Sequence, residues 1–249
     1  MSESQLVAGV HSVRTALKHG AGSVLEVWVE ARRRDRRIKE VIGLAKAAGV
    51  RIAQVSRDEL DTLVPGANHQ GVVARTEVPA ALGEGDLKKF LQDSDKPAFL
   101  LILDGVQDPH NLGACLRSAD AAGIQAVIAP KDRSAGLTPT ACKVACGAAE
   151  TVPFIQVTNL ARVLRWLSEE LGVWLVGTAG EAESELFEVD LKGPLAMVMG
   201  AEEKGMRRLT REACDQLVKL PMAGSVESLN VSVAAGICLF EAVRQRRTG

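Results

Sequence analysis

Ser225, Ser228 and Asn230 stand close together in Pro221-Met-Ala-Gly-Ser-Val-Glu-Ser-Leu-Asn-Val-Ser232, between the apolar run Leu217–Leu220 and a strongly patterned final helix. Their hydroxyl and amide groups can bond a polar edge, while the backbone around Leu220, Met222 and Leu229 can close over a flat apolar ring. A ligand such as adenosine has both properties. A second string, Leu195-Ala-Met-Val-Met-Gly-Ala-Glu-Glu-Lys-Gly205, ends a buried run in acids and glycines. Its glycines let backbone approach a ligand closely, and Glu202 can either orient a hydroxyl or amine or cap the next helix. A third, Asn111-Leu-Gly-Ala-Cys-Leu-Arg-Ser118, puts Gly113 and Arg117 on one helical face, four residues apart. There the missing side chain of Gly113 would let a bulky anion reach the guanidinium; a surface arginine paired with an acid such as Asp120 explains the position equally well. Asn111, after Pro109-His110, reads as a helix N-cap.

The elements that must carry these strings alternate. Apolar runs Phe99–Leu103, Ala126–Ala129, Val152–Val157, Val173–Val176, Leu195–Met199 and Leu217–Leu220 are mostly separated by helix-patterned stretches. Continuous apolar strands between crossover helices predict a parallel sheet with helices on both faces, a doubly wound α/β domain. Leu112, Cys115, Leu116 and Ala119 form one helical stripe; Ala141, Val144, Ala145 and Ala148 form another, opened by Thr138-Pro139 as N-cap and first residue. In such sheets ligands sit beyond the carboxyl ends of the strands, where all three strings lie. The first strand is followed by Asp104-Gly-Val-Gln-Asp-Pro-His-Asn111 rather than by GxGxxG, and no phosphate-cradling P-loop is present, so a nucleotide-dependent oxidoreductase rests on fold analogy alone. The final stripe of Val231, Ala234, Ala235, Cys238, Leu239, Ala242 and Val243 suits either packing on the chain's own sheet or close helix contact in a dimer.

Residues 1–78 form a separate, compact α/β unit: helix-like Val10–Leu17, strand-like Val24–Val29, a helix through Ile38, Val41, Ile42 and Ala45, strand-like Arg51–Val55, a capping box at Ser56-Arg-Asp-Glu59 and strand-like Gly71–Val78. Residues 79–97, rich in Gly, Pro and charge around Leu87–Leu91, read as a linker to residues 98–249. The net charge of −1 conceals an asymmetry. The first unit holds 12 Lys/Arg against 9 Asp/Glu, concentrated in Arg32-Arg-Arg-Asp-Arg-Arg-Ile-Lys39, whereas residues 98–249 hold 15 against 18. Five cysteines in no CxxC pattern argue against a disulfide framework and a metal site. No apolar run spans a bilayer and the first residues lack a signal pattern, so a cytoplasmic, membrane-free protein is expected.

Asn111-Leu-Gly-Ala-Cys-Leu-Arg117, Met199-Gly-Ala-Glu-Glu-Lys-Gly205 and Pro221–Ser232 resemble the three motifs of the SpoU/TrmH family of RNA ribose 2′-O-methyltransferases, within the SPOUT class. The resemblance covers essentially all of residues 98–249. It implies a C-terminal segment threaded into a deep trefoil knot. It further implies an S-adenosylmethionine site at Gly200, Leu220 and Leu229 with Thr178, Gly180 and Met222 as walls, a homodimer, and an N-terminal domain similar to the L30e-like RNA-binding module. By motif position, Arg117 is the candidate catalytic group, with Asn111, Glu202, Ser228 and Asn230 orienting the ribose. Arg32, Arg33, Arg36, Arg37 and His69 fall in the RNA-binding module, where phosphate contact is expected. The stretch Leu101–Asp120, with Pro130-Lys-Asp-Arg-Ser134 and Val176-Gly-Thr-Ala-Gly180, is most similar to members that methylate a guanosine ribose in 23S ribosomal RNA without a metal. Methylation of another RNA such as tRNA, and a ribosome-assembly protein that binds RNA without catalysis, are the alternatives.

Overall fold

The computed structural model describes residues 4–33, 35–201 and 204–248. It divides into two compact units, one of residues 1–80 with 149–151 and one of residues 81–148 with 152–249.

In the first unit β1 (Ser4–Ala8), α1 (Val10–His19), β2 (Val24–Glu30), α2 (Arg36–Ala47), β3 (Arg51–Val55), α3 (Arg57–Leu63) and β4 (Val72–Glu77) build a four-stranded sheet of order β1-β4-β2-β3. β4 runs antiparallel to both β1 and β2, and β3 parallel to β2. Val13, Ala16 and Leu17 of α1 and Ile38, Val41 and Ala45 of α2 bury their stripes with Val27, Val29, Val72 and Ala74 of the sheet. This is the core that the apolar periodicity predicts. The capping box forms at Ser56 and Glu59, and Asp35 caps α2 by accepting from the amides of Arg37 and Ile38.

The second unit contains α4 (Glu84–Gln92), β5 (Phe99–Asp104), α5 (Pro109–Ala122), β6 (Ala126–Pro130), α6 (Pro139–Ala145), β7 (Phe154–Val157), α8 (Leu160–Leu171), β8 (Trp174–Thr178), β9 (Ser184–Glu185), β10 (Leu195–Gly200), α9 (Arg208–Glu212), β11 (Gln216–Lys219) and α10 (Val231–Thr248); the short α7 (Ala148–Thr151), which falls between α6 and β7 in sequence, belongs mostly to the first unit. Seven strands pair in the order β7-β6-β5-β10-β8-β11-β9, all parallel. All six predicted runs become strands. The seventh, β9, is two polar residues long and carries no hydrophobic signal. One face of the sheet packs Leu100, Ile102, Ile128, Ile155 and Val198 against Leu160, Val163, Leu164 and Leu167 of α8. α10 packs on β10 and α5.

Residues 79–97 are not a loose tether. Leu82 bridges to Ile155 in parallel fashion, and Leu87 of α4 is fully buried in the cluster formed by α8 and the sheet. Much of the charge and Gly85 lie within α4 itself, on its exposed side, and one leucine secures the helix; burying that side chain is worth roughly 1.5–3 kcal/mol.

Candidate functional site

A cavity of about 380 Å³ opens at the carboxyl ends of β8, β10 and β11. Its walls come from three chain segments: Thr178–Glu181 after β8, Met199–Ala201 with Lys204–Met206 after β10, and Val218–Leu220 with Met222 and Glu227–Leu229 after β11. All six residues expected to hold a cofactor, Gly200, Leu220, Leu229, Thr178, Gly180 and Met222, line it, and so does Ser228.

The walls are held by backbone. Ala201 and Gly205 exchange two amide–carbonyl bonds of 3.1 and 2.9 Å, and the Ala179 amide donates to the Val218 carbonyl at 2.9 Å. Gly200 has no room for a side chain: a Cβ there would lie 2.3 Å from the Met206 nitrogen and 2.4 Å from the Gly205 carbonyl carbon. The glycine therefore lets the chain fold back on itself at the wall. Apolar surfaces from Leu220, Met222, Leu229 and Val231 face polar groups from Thr178, Glu181, Glu227 and Ser228. This division fits a flat heterocycle joined to a hydroxylated sugar and a charged tail. Glu181 is held ionised: a backbone hydrogen bond and the Arg211 side chain lower its pKa. Cys214 donates to the Thr210 carbonyl at 3.3 Å and touches Met206 of the cavity wall. Burial first, then the charges of Asp215 and Asp104, push its thiol up to about 12. It packs as an uncharged, protonated thiol.

The candidate catalytic residues divide. Ser228 lines the cavity, whereas Arg117 stands exposed on α5 and places a guanidinium nitrogen 3.6 Å from the Cys146 sulfur. Asn111 is buried within α5 and is not its cap. Asp108 fills that role, accepting from the His110 amide, because Pro109 takes the first helical position. The Asn230 amide donates to Asn111 Oδ1 at 2.9 Å, and Asn230 Oδ1 accepts from the Ser232 amide at 2.9 Å. Asn230 thus fastens the start of α10 to α5. Glu202 lies outside the described residues.

Gly113 does not open a path to Arg117. A Cβ there would lie 2.4 Å from the Ala141 carbonyl and 2.7 Å from Val144 Cβ, so the glycine exists for close packing of α5 on α6. In the first unit Arg32, Arg33, Arg36 and Arg37 are all exposed. Arg33 is tethered, with Nε 2.7 Å from Asp35 Oδ2 and Nη1 donating to the Gln70 carbonyl. His69 differs from the expected surface contact, being only 4% exposed. Its Nδ1 accepts from the Gly71 amide and its Nε2 donates to Asp61 Oδ1, both at 3.1 Å. It shapes the turn against which Arg33 rests.

Residues 98–240 match the SpoU rRNA Methylase family, and residues 6–80 match the family described as RNA 2'-O ribose methyltransferase substrate binding. The chain belongs to the SpoU rRNA methylase family. Among relatives of this SpoU methylase, the 23S rRNA (guanosine-2'-O-)-methyltransferase RlmB of Shewanella oneidensis is 59% identical over 248 residues, covering 100% of both chains. The RlmB of Ralstonia nicotianae is 59% identical over 247 residues, covering 99% of this chain and 98% of its own. The SpoU methyltransferase AviRb of Streptomyces viridochromogenes, solved with AdoMet, superposes with a TM-score of 0.78 at 27% identity, covering 99% of this chain and 92% of that one. An AdoMet-bound rRNA methyltransferase from Sinorhizobium meliloti gives 0.75 at 26% identity over 97% and 87%.

Several lining residues escaped the motif-based reading, among them Glu181, Lys204, Met206 and Arg211. Asp104 and Arg207, which fasten the loop after β10, escaped it too. In the sequence only their closeness to the ends of β5, β8 and β10 or to the short helix α9 marks them.

Proposed function

We propose that this chain methylates the ribose 2′-hydroxyl of a guanosine in 23S ribosomal RNA, with S-adenosylmethionine as donor. The observation that carries the reading is the cavity: the residues that the motifs select for the donor come from three separate segments and line one space of suitable size and polarity. S-adenosylmethionine, when bound there, supplies a sulfonium methyl group already activated for transfer to an oxygen nucleophile.

The protein's part is to position and to manage charge. Leu220, Met222 and Leu229 would hold the adenine, and Thr178 and Gly180 the adjoining wall. Ser228 would present a hydroxyl beside the acceptor, with the mutually bonded Asn111 and Asn230 fixing the ends of α5 and α10. Aligning nucleophile and methyl carbon can supply several kcal/mol. Arg117 acts on the acceptor as a phosphate clamp: a guanidinium is a poor base because it stays protonated, so the 2′-hydroxyl proton passes to water as the oxygen takes the methyl group, and the cation beside the target nucleotide stabilises the negative charge that develops on the 2′-oxygen. Glu202 keeps its place as a ribose-orienting candidate by motif.

Residues 1–78 serve as the RNA-binding domain and 98–249 as the methyltransferase domain, with the segment through β11 and α10 threaded as a deep trefoil knot. The active form is a homodimer. Val233 and Phe240, one face apart by two turns of α10, are about half exposed, and a second copy covering this stripe would give both of them partners. Among the described residues no helix is long and apolar enough to cross a membrane, and the RNA substrate assigns the chain to the cytoplasm.

Methyl transfer from labelled S-adenosylmethionine to unmodified 23S RNA, followed by nuclease digestion, tests the reading. Recovery of 2′-O-methylguanosine is expected. Retained RNA binding with no incorporation into naked RNA or assembly intermediates would replace the enzyme with a binding protein. Sedimentation should report a dimer that Phe240→Glu converts to monomer.

A further inference from the structure

The loop after β6 belongs to neither the cavity nor the motifs, yet it is fixed to the cavity rim. Asp104, at the end of β5, is buried with its carboxylate 0% exposed. Its Oδ2 accepts from the Arg207 amide at 2.7 Å, and its Oδ1 lies 3.4 Å from Arg207 Nε. The other end of the same guanidinium donates through Nη2 to the Asp132 carbonyl at 2.9 Å. Arg207 follows Met206 directly, so one side chain joins the cavity wall to the loop Lys131–Ser134. The loop has further anchors: the Lys131 amide donates to Val157 and the Ala135 amide to Val106, at 2.9 and 2.8 Å. At Gly105 the three strand ends converge, since a Cβ there would lie 3.6 Å from Ala201 Cβ and 3.9 Å from the Arg133 carbonyl.

The loop thus holds Lys131 and Arg133 exposed on either side of a carbonyl clamped from below. Arg133 occupies the left-handed backbone region at φ 56°, rare for a residue with a long side chain. Arg207 remains 42% exposed at the side chain. Three cations therefore border the rim of a domain whose overall charge is negative; Asp132 lies among them, and the buried Asp104 beneath Arg207 offsets part of that cation's charge. Arg207 and the loop on both sides of Arg133 are pinned by hydrogen bonds, which lowers the ordering cost of binding an anion.

We propose that Lys131, Arg133 and Arg207 form a phosphate-binding rim that grips the RNA backbone next to the nucleotide being methylated. This deepens the reading of the chain as an RNA methyltransferase and rests on it. Arg207 is the fixed member, pre-oriented by Asp104; Lys131 and Arg133 are the adaptable ones. The rim contributes backbone contact and register rather than base recognition.

The test is the affinity of the full-length protein for an unmodified 23S RNA transcript across a range of salt, alongside S-adenosylmethionine affinity. Lys131→Ala combined with Arg133→Ala should weaken RNA binding about 10-fold and flatten the logarithmic salt slope by about 0.7 for each phosphate of a single-stranded segment that is no longer neutralised. Donor affinity should not move. The charge-preserving pair Lys131→Arg with Arg133→Lys should retain the wild-type slope. An unchanged RNA affinity and slope in the alanine variant would overturn the rim. So would an equal loss in the charge-preserving variant, because it would trace the effect to loop shape. Binding is the readout, so a wild-type chain that binds RNA without transferring methyl would overturn the enzymatic reading separately.

Discussion

The cavity wall and the cationic surfaces of this protein are built to opposite tolerances. The wall is held by backbone reversals, and at Gly200 the space for even one carbon is already taken by Met206 and Gly205. The surfaces consist of long, exposed side chains, as at Arg32, Arg36 and Arg37 in the first unit or Lys131 and Arg133 in the second. A small ligand buried between fixed walls is selected by shape, so single atoms matter. An RNA backbone is held by summed charge, so the number of cations matters more than the place of each. Arg117 is the case that joins the two: an exposed guanidinium for which the reading assigns a role at one position on the reacting nucleotide.

Arg117 should therefore show the largest effect of any exposed cation. Arg117→Ala is expected to lower turnover at least about 100-fold, the range for an electrostatic or general acid–base group, with donor affinity nearly unchanged. Single-turnover methyl transfer and a donor titration measure the two separately. Arg117→Lys keeps the charge and loses the planar fork, so partial recovery would favour a clamp working mainly through charge. Turnover equal to wild type in Arg117→Ala would return this residue to the class of surface cations.

Gly200→Ala approaches the comparison from the wall. Accommodating one methyl requires the 205–206 backbone to move, and overpacking of this kind costs roughly 1–3 kcal/mol. If that cost falls on the binding-competent geometry, donor affinity drops about 10- to 100-fold, while RNA affinity at fixed salt stays the same. Calorimetric titration with S-adenosylmethionine and an RNA binding curve read the two limbs. Full donor affinity in Gly200→Ala would mean that the wall yields, and the contrast with the surfaces would lose its basis.

How much of this was legible in the sequence follows the same division. The continuous runs Phe99–Leu103 and Leu195–Met199 announce strands buried on both faces, and both are realised with paired register. The residues that the motifs select for the donor line one cavity because each lies near a strand whose carboxyl end the parallel topology brings to one edge. What one-dimensional pattern could not carry is which side chain spends itself on a neighbour. Asn111 looks like a cap beside Pro109, yet Asp108 caps and Asn111 meets Asn230, 119 residues away in sequence. Gly113 looks like room for an anion, yet α6 fills that room. His69 sits among expected RNA contacts, but its neighbours Asp61 and Gly71 turn it inward. The linker reading erred for a related reason: composition registered the charge on and around α4 and missed the single buried Leu87.

The smallest effects belong to the basic run of the first unit. Arg36 and Arg37 occupy the first turn of α2, where the helix dipole disfavours cations; Asp35 at the N-cap offsets this with an acidic side chain and two accepted amide bonds. Residues chosen for helix stability alone would be acidic there, and their basic character supports contact with polyanionic RNA. Replacing Arg32, Arg33, Arg36 and Arg37 by glutamine should weaken RNA binding through a flatter salt slope, by about 0.7 per phosphate left unneutralised, with each single substitution contributing a modest share. Arg33 should deviate from that additivity. Its guanidinium already serves Asp35 and the Gln70 carbonyl, so Arg33→Gln disturbs the His69–Gly71 turn as well as removing charge. A steeper loss for Arg33→Gln than for Arg36→Gln, matched by a similar loss for His69→Ala, would show that this surface too relies on fixed geometry. Equal losses at Arg33 and Arg36, with His69→Ala silent in binding, would leave charge alone as the principle of this surface.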